Sequence, residues 1–130
     1  VYKRQVEGIV QMLQKHPKVQ QVFHPSIKEH MNYTIHQNQA SGHTGVVSFE
    51  VKDTEAAKQV IHATNYFTLA ESLGAVESLI SVPALMTHAS IPSDVRAKEG
   101  ITDGLIRLSI GIEDTEDLVN DLEQALNTLR

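Results

Sequence analysis

Hydrophobic positions recur along the chain with two different periods, and the alternation between them outlines the fold. Val6, Ile9, Val10 and Leu13 fall at helical spacing, and the pattern stops at His16-Pro17 because proline disfavours helix in the residue before it. Val19 to Phe23 is short and β-prone. Ser26 followed by Glu29 has the form of a capping box, which predicts a helix running through Ile27, Met31 and Ile35. Beyond the glycine-marked loop Ser41 to Gly45, the run Val46 to Val51 places Val47, Phe49 and Val51 against Val46, Ser48 and Glu50, the period-two signature of a half-buried strand. Asp53 is positioned to cap a helix carrying Ala56, Ala57, Val60 and Ile61 that ends near Asn65, and the apolar Tyr66 to Ala70 predicts another strand.

From Ser72 to Pro92 the periodicity fades into loop and short strands such as Ser78-Leu79-Ile80, punctuated by Gly74, Pro83 and Pro92. Ser93 to Glu99 predicts a short helix stopped by Gly100. Gly104 to Ile112 is the strongest strand pattern in the chain, with Ile106, Leu108, Ile110 and Ile112 on one side and Leu105, Arg107 and Ser109 on the other, because side chains alternate across a strand. Asp114 caps a last helix, with Glu116 and Asp117 favourably placed in its first turn and Leu118, Leu122, Leu126 and Leu129 forming one stripe. About four strands interleaved with helices define an α/β chain, an α+β two-layer sandwich with a mostly antiparallel or mixed sheet and helices on one face.

Composition narrows the function more than the fold. The 130 residues carry 41% hydrophobic and 21% charged positions, as one soluble globular domain does. Eleven basic against sixteen acidic residues give a net charge of -5 without any basic run, which argues against nucleic acid as a partner. No apolar stretch reaches the roughly 18 residues that span a bilayer and no leader pattern is present, so the expected location is the cytoplasm. The absence of cysteine removes disulfides, thiolate metal sites and thiol nucleophiles.

Among chemically capable residues, Arg107 stands out as a guanidinium in the middle of an apolar strand, whose rigid fork suits a carboxylate. Most lone charges in strands are solvated, so on pattern alone the ion-paired or solvent-facing reading prevails. His24, His30 and His36 are spaced by six, which on a helix places neighbours on different faces, and no metal site is expected. Ser72 and Ser109 lie in no nucleophile motif, and Gly42, Gly45 and Gly74 form no phosphate cradle. Glu113, Asp114, Glu116 and Asp117 read as a helix start rather than as general acids.

Three ordered segments then carry a resemblance: Ala70 to Ile80 (AESLGAVESLI), Pro83-Ala84 with Met86-Thr87-His88-Ala89, and Gly100 to Asp114 (GITDGLIRLSIGIED). Together they resemble the C-terminal signature of the cystathionine gamma-synthase and gamma-lyase family, with weaker similarity at His16 to Val19 and Gly45 to Phe49. The resemblance implies the small C-terminal domain of a fold-type I pyridoxal-phosphate enzyme, closing one side of an active site built by a preceding large domain. It also implies a substrate-binding role for Arg107 on the α-carboxylate, assisted by Ser72. Glu71 matches a position that in synthases and gamma-lyases faces the distal end of the substrate, where one group of beta-lyases differs.

The same resemblance places the cofactor's anchoring lysine, stacking aromatic and phosphate-holding groups in the large domain. No catalytic or cofactor-binding residue is therefore expected in this chain, and the chain alone is expected to be inactive. The expected substrates are cystathionine, cysteine or an O-acylhomoserine; the alternatives are a beta-lyase or methionine gamma-lyase type of the same family, or a non-catalytic amino-acid-binding module. The full-length protein is expected to be a homotetramer. Residues 1–5, which start at Val1 and fit neither pattern well, are expected to be a non-native start.

Overall fold

The computed structural model describes residues 2–130. Its helices form where the apolar stripes lie. Helix α1 (Lys3–Lys15) buries Gln5, Val6, Ile9, Val10 and Leu13, and ends where the His16 N–H reaches the Leu13 carbonyl. It starts before Val6, so the buried Gln5 belongs to the helix. Helix α3 (Thr54–Ala63) is capped by the Asp53 side chain, which accepts from the Ala56 N–H at 2.9 Å. Helix α5 (Thr115–Asn127) is capped by Asp114, which accepts from Glu116 N–H, and it buries Leu118, Leu122, Ala125 and Leu126. The short α4 (Ser93–Lys98) gives way to Gly100 at φ +77°, a left-handed conformation that a side chain disfavours.

One prediction fails. No helix begins at Ser26; α2 spans Tyr33–Gln39 and buries nothing, with Ile35 on it 56% exposed and Met31 ahead of it 91% exposed. The capping box is broken by a competing local bond, since the Ser26 hydroxyl and backbone N–H both turn back to Nδ1 of His24, at 2.7 and 3.3 Å.

Five strands, β1 (Gln21–Phe23), β2 (Val46–Glu50), β3 (Thr68–Leu69), β4 (Leu79–Ser81) and β5 (Leu105–Ser109), form one mixed sheet in the order β1-β2-β5-β4-β3. Only β3 and β4 pair in parallel. The anticipated strands at Tyr66 to Ala70 and Gly104 to Ile112 are shorter than their apolar runs, and Ile112 is exposed. The register sets Phe49 beside Ile106, and Leu108 between Val47 and Ile80, all fully buried against α1, α3 and α5. This inner face holds the main core. The opposite face carries Ser48, Arg107 and Ser81 in one row across β2, β5 and β4.

Two polar anchors hold the helical layer. His16 Nε2 lies 3.2 Å from Asn127 Oδ1, joining the ends of α1 and α5. Asp121 on α5 is buried and accepts from the backbone N–H groups of Asn65, Tyr66 and Phe67, fixing the turn that leads from α3 into β3.

The buried His24 shows how a sequence separation can mislead. With no helix through residues 26–32, sixfold spacing no longer parts His24 from His36. The ring of His43 stacks on His36, with Nδ1 at 2.9 Å from His36 Nε2, and meets His24 edge-on at 5.7 Å. Among the described residues no group of three or more potential ligands could hold a metal. His24 Nε2 must donate to the Thr44 carbonyl, which leaves Nδ1 as acceptor for Ser26 and makes the neutral ring the form that fits.

Burial first, then the neighbouring His43, His36 and His30, hold the His24 pKa below its ordinary 6.5, against an opposing pull from the Thr44 carbonyl. Because the folded state then binds this proton less readily than the unfolded state, its contribution to stability is complete above pH 6.5 and declines as the pH falls below it. Urea unfolding at pH 7.5 and 5.5 should show a loss in the acid that shrinks in His24→Asn; equal losses in both proteins would remove His24 as a cause.

Candidate functional site

The outer row of the sheet places Arg107 on the central strand between two small residues. Serine at both cross-strand positions, Ser48 and Ser81, leaves room for a long side chain to lie over the sheet. The Arg107 Nη2 donates to the carbonyls of Glu71 at 2.8 Å and Ser72 at 3.3 Å, so the residues singled out from sequence do come together. They do so through the Glu71 and Ser72 backbone carbonyls; the Ser72 hydroxyl and the Glu71 carboxylate make no hydrogen bond among the described residues, and both residues are exposed.

Two arginines show what this arrangement means electrostatically. The guanidinium of Arg96 is nearly buried, pairs with Asp103 at 2.6 Å and donates to the Ile91 carbonyl, so its charge is consumed by the fold. Arg107 is partly exposed, meets only neutral carbonyls, and has no carboxylate partner among the described residues. Carbonyl tethers fix the orientation of the fork without neutralising it. Its Nε and Nη1 make no hydrogen bond among the described residues, and such an edge can meet a carboxylate with paired, charge-assisted bonds.

The segment from Glu71 to Ser78 lies over this outer face, sewn to β5 and the residues after it. Gly74 N–H donates to Ser109 Oγ at 2.8 Å, and Ile112 N–H donates to the Val76 carbonyl at 2.9 Å. At the far end, Ser78 N–H and Oγ–H donate to the two carboxylate oxygens of Glu113, at 2.6 and 2.8 Å, and Gly111 N–H donates to Ser78 Oγ. A Cβ at Gly111 would overlap the Val76 carbonyl and the Glu113 carboxylate, so glycine is what permits the approach. Glu113 is thus no helix-start residue: Asp114 does the capping, and Glu113 reaches back to the loop. Nothing in the spacing of Ser78 and Glu113 signals this contact. One buried hydroxyl on the same row, Ser81 Oγ, has no partner among the described residues.

Fold and site together define an α/β domain that presents a tethered, uncompensated guanidinium beneath a pinned loop, an arrangement suited to an anionic small molecule. A family model described as "Cys/Met metabolism PLP-dependent enzyme" matches residues 3–127, and the chain belongs to that family. It is 49% identical over 121 residues to a cystathionine gamma-lyase of Bacillus subtilis and 48% identical over 120 residues to a cystathionine beta-lyase of Lactococcus lactis, covering 93% and 92% of this chain. Each match takes in 32% of the relative, so the chain spans about a third of the length of the curated relatives it matches. The crystal structure of cystathionine gamma-synthase from Xanthomonas oryzae in complex with cystathionine superposes with a TM-score of 0.91 at 43% identity, covering 97% of this chain and 33% of that one. The resemblance drawn from the three sequence segments and the α/β, fold-type I class are therefore correct. The near-equal identities to a gamma-lyase and a beta-lyase leave the particular reaction to the site.

Proposed function

We propose that this chain is the substrate-binding small domain of a pyridoxal-phosphate enzyme that cleaves or forms the carbon–sulfur bond of cystathionine, acting on cystathionine, cysteine or an O-acylhomoserine. The observation that carries this reading is Arg107, held in place by two backbone carbonyls and left without a carboxylate partner among the described residues. Its open edge grips the α-carboxylate of an amino acid, and the exposed Ser72 hydroxyl adds a third donor beside it. The Glu71 carboxylate, one residue earlier in the same loop, receives the distal ammonium group of cystathionine and favours gamma over beta chemistry. What these residues contribute is orientation: a fixed carboxylate holds Cα in one pose, and such positioning accounts for a large share of catalytic rate.

Pyridoxal phosphate, when bound, supplies the electron sink for charge developing at Cα. The residues described do not fit it as holders. Every lysine is exposed except Lys58, which pairs with Glu55 at 2.8 Å, and none makes a hydrogen bond or ion pair with the 71–78 loop among the described residues, whereas a covalent anchor requires an enclosed, activated lysine. The anchor and the cofactor pocket are assigned to a large domain outside this chain, and no step given to this chain runs through the cofactor. No helix among the described residues is long and apolar enough to cross a membrane, and the proposed setting is the cytoplasm, in a homo-oligomer.

Assay of the full-length protein and the isolated chain with cystathionine, or with an O-acylhomoserine and cysteine, tests the proposal. The full-length protein should release cysteine from cystathionine by gamma cleavage or form cystathionine from an O-acylhomoserine and cysteine, and the isolated chain should do neither, nor retain visible absorbance after incubation with the cofactor and dialysis. Release of homocysteine instead would overturn the role given to Glu71, and stable absorbance in the isolated chain would overturn the division of labour.

A further inference from the structure

We propose that Glu113 is a positioning residue for substrate binding: by clamping Ser78, it holds the 71–78 loop in the one placement that lets the Glu71 and Ser72 carbonyls orient Arg107. The inference rests on the reading of Arg107 as the carboxylate grip. The loop is exposed along most of its length, with Leu73 54% and Val76 67% accessible, and apart from the Ser78 carbonyl, which accepts from Thr68 N–H, its hydrogen bonds run to β5 and the residues just beyond. Its placement therefore depends on what it meets there. At one end the contact is Arg107 itself, in the middle Ser109, and at the far end the Glu113–Ser78–Gly111 cluster.

The far end is the strongest of these anchors. Both oxygens of the Glu113 carboxylate are engaged by Ser78, which is fully buried, and the Ser78 hydroxyl passes the connection on by accepting from Gly111 N–H. Bonds to a charged acceptor are about twice as strong as neutral ones. A second link, from Gln5 Nε2 to the Glu113 carbonyl at 2.9 Å, ties the same residue to α1, so the loop is registered against the helical layer as well as the sheet. Glu113 makes no hydrogen bond to Arg107 or to the carbonyls that tether it. Removing its carboxylate leaves the Ser78 N–H and O–H without their acceptor and lets the loop shift, and the Arg107 fork loses its fixed direction while keeping its charge. Substrate then binds to a grip that must be reordered at each encounter.

The test is steady-state kinetics of the full-length enzyme with cystathionine. Glu113→Ala should raise KM roughly tenfold with kcat within about twofold, since the bound and reacting states lose the same orienting contact. Glu113→Gln, which keeps one carbonyl acceptor for Ser78, should recover part of that loss, and Ser78→Ala should raise KM in the same direction and covers the case of an unstable Glu113→Ala. Combining Glu113→Ala with Arg107→Lys should add less than about twofold to the effect of Arg107→Lys alone, because groups that act through one another are not additive.

An unchanged KM in Glu113→Ala and Ser78→Ala overturns the inference, as does a fall in kcat alone that follows the folded fraction by circular dichroism. So does a double variant whose effects multiply. Wild-type efficiency in Arg107→Lys would instead remove the grip on which the inference rests, so the two failures are read from different variants.

Discussion

Arg107→Lys in the full-length enzyme should lose about 10- to 150-fold in kcat/KM for cystathionine, the equivalent of one charge-assisted hydrogen bond of roughly 1.5 to 3 kcal/mol. A lysine ammonium keeps the charge but not the fork. In the structure one nitrogen of the guanidinium is already committed to the Glu71 and Ser72 carbonyls, and the remaining edge is what a carboxylate would meet. A point charge of shorter reach has to choose between tether and ligand. The loss grows if the carboxylate tilts and Cα moves out of line. Cofactor absorbance should stay normal, because nothing near Arg107 holds the cofactor in the proposed arrangement. Wild-type efficiency would mean that Arg107 is a structural cation and that the site assignment is wrong.

The second large effect is on stability. Asp121→Ala should destabilise the fold by about 3 kcal/mol, measured as a shift in the urea midpoint at constant slope. The carboxylate accepts from the N–H groups of Asn65 and Tyr66 at 2.8 Å and of Phe67 at 3.4 Å, and also from the side chains of Asn65 at 3.1 Å and Gln124 at 3.2 Å. Truncation orphans several donors at once at a site that is almost sealed from water, and an unmade bond at a buried donor costs more than the bond itself contributes. Glu123→Ala, on an exposed turn of the same helix, should change stability by less than about 0.5 kcal/mol. A change that small at Asp121 would show that the α3–β3 turn holds without its anchor.

How much of the site is legible in the sequence differs residue by residue. Arg107 is visible because a charge inside an alternating strand has to point away from the apolar side, and the register confirms its place between Ser48 and Ser81. That Ser72 lies beside it follows only from the family resemblance. The contact itself uses the Ser72 backbone, which no side-chain pattern encodes. Glu113 reads as part of a helix start because its neighbours Asp114, Glu116 and Asp117 are; its actual partner, Ser78, is 35 residues away.

Local patterning along the chain is enough to define the amphipathic helices α1, α3 and α5, their stops and caps at His16, Asp53 and Asp114, the inward and outward faces of β2 and β5, and the family. All but the last rest on neighbours within a turn of helix or along one strand, where periodicity and capping chemistry act directly, and the family rests on ordered segments of the same chain. Folding in three dimensions was needed to cluster three histidines, to let Asp121 hold a turn 54 to 56 residues away, and to pin the 71–78 loop over Arg107 through Glu113. Most of these join groups that the chain brings together only after the sheet has formed. A hydrogen bond leaves no periodic trace in sequence, since its partners are selected by position in space and not by their separation along the chain.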